Sequence, residues 1–411
     1  MKKRFNIPTV IGLMLLVSVV TFALTYLSVQ ANFNTYLTSQ AQNDAALSKV
    51  SSVLGRIQTH YVGEWEFDEL IDGALRGMVA ATGDRWSHYL NAEEYAAYKL
   101  SSANEAVGIG VSVHTDAETG VITITRVHPN SPADEAGLER FDIIAAVDGV
   151  TVTDVTPDEA YGLIRGAEGT TVTLKILRYE TGAEETIQFV RRNYTMNAVT
   201  SEIVGDGIGY VKIENFDAHV NINFRDAVNG LMKAGVKGIV FDVRNNPGGS
   251  KNVMVAMLDM LCPEGILFIS RDNTGAEEVD RSDANEIDLP MVVITNESSI
   301  SAAEFFAAAL KEFGKAKIVG TPTNGKGYSQ VSVPLDDGSG LILSTNEYFT
   351  PKGNSLIGVG LTPDHTVTLS EEKQRRFALL SHEEDDQFAE ALSVMDDMIA
   401  ALAAAEADTA E

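Results

Sequence analysis

The stretch Asn296–Gln330, NESSISAAEFFAAALKEFGKAKIVGTPTNGKGYSQ, sets a serine at the start of a helix and a lysine beyond its end. The run just before it, PMVVIT (Pro290–Thr295), is short, apolar and β-branched, which is the pattern of a buried strand. Cap-type residues Asn296, Ser298 and Ser299 follow, Ile300, Phe305, Ala308 and Leu310 form a helical stripe, and Gly314 supplies a stop. Ser301 is therefore expected in the first helical turn, where unpaired backbone N–H groups and the positive end of the dipole favour negative charge. The helix carries the chain roughly 20 Å away at about 1.5 Å per residue. The run AKIVG (Ala316–Gly320) reads as a strand that returns it roughly 16 Å. Lys326 is then expected near Ser301.

A serine hydroxyl is a weak nucleophile until a base removes its proton, and lysine is a base only when its amine is neutral. Desolvation among apolar neighbours can lower the amine pKa from about 10.4 by the few units required. Gly325 and Gly327, on either side of Lys326, permit an unusual backbone path and close approach to another segment, and the Gln330 side-chain carbonyl can hold the amine. Taken alone, a serine at a small-residue helix start and a loop lysine are more often structural than catalytic. A Ser-His-Asp arrangement using Asp217 with His219, or Asp364 with His365, is a second reading, although no spacing supports it.

The 411 residues leave room for several cores, and the net charge of -27 argues against nucleic acid, whose phosphates would be repelled. The lone Cys262 excludes an internal disulfide framework and a protein-supplied thiolate zinc cluster. Nothing in the pattern calls for a metal or organic cofactor. Lys2, Lys3 and Arg4 precede an uncharged apolar stretch from Ile7 to Val29, long enough to span about 30 Å of hydrocarbon. Residues 1–31 are read as an uncleaved signal anchor, longer than a usual signal-peptide core. The expectation is a single-pass cell-membrane protein whose catalytic part faces outward, away from the cytoplasm.

NESSISAAEFF and GKGYSQ, with the upstream FDVRNNPGGS (Phe241–Ser250), resemble the carboxy-terminal processing protease, or tail-specific protease, family. The resemblance covers about Tyr61 to Asp364. It implies an α/β multidomain chain: a helical segment, a β-rich PDZ domain and a crotonase-like α/β serine protease core. It also implies Ser301 as nucleophile, Lys326 as base and Gln330 as the residue orienting that base. The chain departs from the family's run of alternating serines and alanines, with Ser298 in a usual glycine position, Ile300 in a usual alanine position and Ala303 in a usual serine position. Those changes bear on subsite shape more than on activity.

Residues 45–100 read as a helical segment, with Leu47, Val50, Val53, Leu54 and Ile57 at helical spacing, and Leu70, Ile71, Ala74, Leu75 and Met78 likewise. In the family such a segment can support dimerisation, so a homo-oligomer is carried as an implication. Residues 106–192 follow the order of a PDZ domain: strands at Val107–Val113 and Val121–Val127, a short helix at Ser131–Gly137, a strand at Asp142–Gly149, a helix at Thr156–Gly166 and a strand at Thr170–Arg178. Such domains add a peptide as an extra strand and hold its terminal carboxylate on backbone N–H groups, which here implies Gly108, Ile109 and Gly110. Arg165 takes the place of an arginine that couples PDZ position to the active site in some relatives. A solvated helix-end arginine is the alternative.

Residues 195–369 read as the protease core: a hairpin at Glu202–Ile213, a helix at Asn221–Lys233 and a core strand at Lys237–Arg244 entering NNPGGS. The Pro-Gly-Gly turn lets backbone approach substrate closely, and the resemblance implies Gly249, with Gly248, as oxyanion donor beside the N–H of Ala302. Residues 371–411 read as an acidic amphipathic helix fading into a solvated tail. The function expected is a membrane-anchored serine endopeptidase that binds free C-terminal tails of protein substrates and cuts upstream. The alternative is a catalytically silent PDZ scaffold.

Overall fold

The computed structural model describes residues 16, 17, 20, 21 and 42–409. The expected anchor over 1–31 lies almost wholly outside the described residues, and among these no helix is long and apolar enough to cross a membrane. The chain divides into two compact units, one up to Ile71 and one from Asp72 onward. Helices over 42–60 and Phe67–Ala80 occupy the span read as helical, with Ala92–Ser102 closing it. The expected small bundle is modified in the second unit. Strand His88–Leu90 pairs antiparallel with Gly340–Phe349, so this segment is stitched into the core.

The centre of the larger unit is a six-stranded sheet whose spatial order follows the chain: β1 (Val199–Val204), β2 (Ile208–Ile213), β3 (Gly238–Asp242), β4 (Met291–Thr295), β5 (Ala316–Gly320) and β6 (His365–Thr366). Only the β1–β2 pair is antiparallel. Strands β3 and β4 are buried on both faces, which accounts for their continuous apolar sequence. Ile239, Phe241, Met291 and Val293 point toward α1 (Val220–Ala234), α2 (Lys251–Asp259) and α3 (Ala302–Glu312), while Val240, Val292 and Ile294 point to the other face.

The other face is covered by α4 (Asp386–Thr409), through Phe388, Ala391, Val394 and Met395. An amphipathic helix fading into a solvated tail is expected here, and the helix forms. Its apolar stripe closes the second layer of the core, because the buried back face of β3–β5 needs a partner.

A buried charge network fastens α4. Asp242, at the end of β3, accepts from Tyr210, Lys212 and Arg244, and Arg244 also reaches Asp385 at 2.7 Å and Gln387 at 3.0 Å. Burial alone would push the Asp242 carboxyl up, but Arg244 and Lys212 outweigh it and hold the group below the usual carboxylate range.

A second sheet is built from His88–Leu90, Gly265–Asp272, Glu277–Ser282, Tyr328–Pro334 and Gly340–Phe349. The β-rich module forms a third, with strands Val111–Thr115, Ile122–Val127, Ile143–Val147, Thr171–Leu177 and Glu184–Val190 as its main path. The single strand expected at Val107–Val113 is broken at Ile109–Gly110, where Gly110 has φ +87°. Its first half, Glu105–Gly108, pairs instead with Arg192–Thr195 to form a two-stranded ribbon.

Removing one partner from a buried ion pair strands the other charge, so Asp242→Ala should cost about 3–5 kcal/mol and lower Tm by about 10 °C in calorimetry. The folded-state pKa of Asp242 lies below its unfolded value, so its contribution is present above about pH 4 and is lost as pH falls further. Asp242→Asn should flatten that acid limb of the Tm–pH curve.

Candidate active site

Two loops leave the carboxyl ends of the adjacent parallel strands β3 and β4 and are knitted together by short polar side chains. Asn245 and Asn296 exchange hydrogen bonds, with Asn245 N donating to the Asn296 amide oxygen and Asn296 Nδ2 donating back at 2.8 Å. Ser299 Oγ donates to the Val243 carbonyl, and Ile300 N donates to the Asn246 carbonyl. These bonds deliver Ser301 to the mouth of α3 with φ +57°. Ser301 was expected inside the first turn; it is the residue just before the helix, in a strained backbone conformation that a non-glycine residue adopts only when its surroundings impose it.

The imposing group is Glu304, fully buried at 0% exposure. One carboxylate oxygen accepts from Ser301 N at 2.7 Å and Lys326 N at 3.1 Å; the other accepts from Thr323 Oγ1 at 2.7 Å and Gly325 N at 2.5 Å. One side chain therefore grips the serine's backbone and the lysine's backbone together. Gly325 and Gly327 both take positive φ, and a Cβ on Gly327 would run into Ile357. Only glycine lets this loop lie so close to the 357–360 turn.

Ser301, Lys326 and Gln330 line one cleft of about 630 Å³, together with Trp86, Phe268, Phe305 and Tyr348. Lys326 Nζ donates to Gln330 Oε1 at 2.6 Å, and Gln330 Nε2 donates to Ser344 Oγ at 3.3 Å. The amine also sits 4.9 Å from the centre of the Trp86 ring. Burial brings its pKa down to about 8, against the opposing pull of Glu304 and Asp84. Ser301 Oγ and Lys326 Nζ share no direct hydrogen bond in this state. The serine hydroxyl lies instead against Tyr348, whose own hydroxyl burial pushes up and which accepts from Gly327 N at 3.1 Å.

Of the implied oxyanion donors, Gly249 and Ala302 have N–H groups with no acceptor among the described residues, whereas Gly248 N is engaged by the Asn246 side chain at 2.8 Å. Gly248 has a different task. A Cβ there would lie 2.9 Å from the Ser301 Cβ, so glycine is what lets the two loops touch.

The histidine reading finds no support in the geometry. His365 bonds Glu390, Asp364 pairs with Lys311, and His219 is exposed and outside the cleft.

A second groove, of about 510 Å³, is lined by Gly108, Ile109, Gly110, His128, Tyr161, Ile164, Arg165 and Tyr194. The N–H groups of Ile109 and Gly110 have no acceptor among the described residues, and the exposed Arg165 guanidinium has no ion-pair partner there. Gly108 lies within the ribbon, opposite Arg192.

Residues 207–367 match Peptidase family S41, residues 123–178 a PDZ domain and residues 14–94 the Activating protease CtpB N-terminal domain. The Carboxy-terminal-processing protease of Bartonella bacilliformis is 32% identical over 329 residues, covering 78% of this chain and 75% of that protein. The Carboxy-terminal processing protease CtpA of Bacillus subtilis is 30% identical over 327 residues, covering 79% and 70%. The chain belongs to the carboxy-terminal-processing protease family. It is accordingly a PDZ-containing serine protease of C-terminal-processing type, the leading expectation rather than the alternative of a silent scaffold. An S41 protease structure from Bacteroides fragilis shares the fold, with a TM-score of 0.61 at 22% identity over 82% of this chain and 93% of that one.

Glu304, Trp86 and Thr323 escaped the sequence reading. The first left a signal: Ser301-Ala-Ala-Glu304 has capping-box spacing, and Glu304 does bond back to the N-cap N–H. Replacing Glu304 by Gln would set amide hydrogens against clustered donors. Glu304→Gln should lower kcat by about 100-fold or more while near-UV circular dichroism stays native, and Glu304→Asp should recover part of the loss.

Proposed function

We propose that this protease cuts with a Ser301–Lys326 dyad after capturing a substrate's free C-terminal tail in its PDZ groove, and that residues 7–29 anchor it in the cell membrane with the catalytic part outside the cytoplasm. The observation that carries the dyad is the shared cleft, in which an amine of lowered pKa, held by Gln330, faces the same cavity as a serine at a helix mouth. In the substrate-free state Lys326 rests on Gln330. Filling of the cleft brings Nζ to Ser301 Oγ, in keeping with catalytic hydrogen bonds that tighten only in the complex.

Neutral Lys326 takes the Ser301 proton as Oγ attacks the scissile carbonyl, and the tetrahedral oxyanion is received by the unengaged N–H groups of Gly249 and Ala302. The lysine then protonates the leaving amine. Water, deprotonated by the same amine, releases the acyl group and regenerates the serine. The tail's carboxylate is received by Ile109 and Gly110 N–H groups, with Arg165 at the rim supplying positive charge and a route by which tail binding is felt by the rest of the chain.

Ser301→Ala and Lys326→Ala should each abolish cleavage of an unstructured tail peptide followed by mass spectrometry, with unchanged thermal unfolding. Normal turnover by either would refute the dyad. Because the lysine acts as a base when neutral, log kcat/KM should rise with pH and level off above about 8. Trp86→Ala, by admitting water to the amine, should move that inflection upward.

A further inference from the structure

One carboxyl group in the catalytic cleft is unaccounted for by the dyad. Asp217 lies between β2 and α1, half-buried, and lines the cleft together with Tyr98, Ser102, Gly249 and Ser250. Its backbone is pressed against the oxyanion turn: a Cβ on Gly249 would stand 2.9 Å from Asp217 N, and Ser250 N donates to the Phe216 carbonyl at 2.9 Å. The Asp217 side chain makes no hydrogen bond or ion pair among the described residues, while its own N–H is taken by Asn215.

The cations of the cleft are all committed elsewhere. Lys251 is held by Glu278 and Asp280, Arg85 by Asn324 and the Trp86 ring, and Lys326 by Gln330. His88 bonds the Trp86 carbonyl. Withdrawn from water and without a countercharge, the group has its pKa pushed up to about 6 by burial alone.

A lone carboxylate beside the reacting centre is unfavourable with an empty or apolar neighbour and favourable with a cation. We infer that Asp217 is a specificity-determining residue that receives a basic side chain, lysine or arginine, of the substrate within about three residues of the cut bond. The placement follows from its contact with Gly249, whose N–H is the proposed oxyanion donor. This assignment rests on the endopeptidase reading of the cleft and adds to it the class of side chain preferred beside the cut.

The test begins with an unstructured tail peptide whose cut site has been mapped by mass. Lysine or glutamine is then placed in turn at each of the three residues on either side of that site. Wild-type enzyme should show one position where lysine is preferred over glutamine by about tenfold in kcat/KM at pH 8. Asp217→Asn should bring that ratio close to one, and Asp217→Lys should favour glutamate at the same position. The wild-type ratio should fall as pH drops from 8 toward 5.5, since protonated Asp217 no longer attracts the cation. Lys326 also gains positive charge over this range, in wild type and Asp217→Asn alike, so the contribution of Asp217 is the part of the pH dependence that the variant loses.

A wild-type scan with no lysine preference, or a preference that persists in Asp217→Asn, would overturn the assignment. Should the variants prove inactive, the pH course of the wild-type ratio decides, and a ratio independent of pH counts against Asp217. Peptides that are never cut by wild-type enzyme would overturn the endopeptidase reading, and this assignment with it.

Discussion

The geometry that brings the Ser301 and Lys326 segments together depends on one buried carboxylate. Glu304 makes no ion pair among the described residues; its two oxygens are satisfied by three backbone N–H groups and a threonine hydroxyl drawn from the Ser301 and Lys326 segments. Such an arrangement is tolerable in a protein interior only when every lone-pair direction is used, because an unsatisfied buried charge is heavily destabilising. That requirement makes Glu304 a clamp. The serine's positive φ and the lysine loop's glycine-rich path are two backbone distortions held by the same group, so neither segment can relax alone.

The electrostatics of Lys326 reflect a balance the fold sets on purpose-built surroundings. Burial favours the neutral amine, while Glu304 and Asp84 favour the ammonium, and the outcome lies near neutrality. Trp86 contributes to both sides: its bulk excludes water, and its face attracts a cation. The ring comes from a turn between helix Phe67–Ala80 and strand His88–Leu90, which the Asp84 carboxylate holds by accepting from Trp86 N and Ser87 Oγ. The pairing of His88–Leu90 with Gly340–Phe349 thus brings a piece of the N-terminal half of the chain into the catalytic cleft.

The PDZ module joins the core through the ribbon of Glu105–Gly108 and Arg192–Thr195, and at its foot Asn104 and Asn215 exchange amide hydrogen bonds. Arg126 crosses to Glu214 at 2.7 Å, and Arg140 donates to the carbonyl of Ala378 at 3.2 Å. None of the residues lining the catalytic cleft comes from the PDZ module. The groove of the PDZ module and the cleft that holds Ser301 and Lys326 are therefore separate cavities in this state, joined by a polar contact surface and two strands.

Much of this was legible in the sequence, because it depends on local pattern. The β-branched runs gave β4 and β5 nearly to the residue, the glycine stop ended α3, and the motif around Ser301, Lys326 and Gln330 identified three residues that do meet in one cavity. The capping-box spacing of Glu304 was equally local and was overlooked. Other features have no local signature. The apolar stripe of the acidic helix α4 is legible, but what it covers is not until the back face of the sheet is seen to need a partner, and the break at Gly110 reads as a continuous strand until its first half finds Arg192–Thr195. Trp86 and Asp217 lie more than 200 and about 80 residues before Ser301. Composition and spacing fix which segments are strands and helices, since those follow from short-range sterics and periodic burial. Which side chains share a cleft, and which carboxylate is left there without a partner, is decided only when distant segments pack.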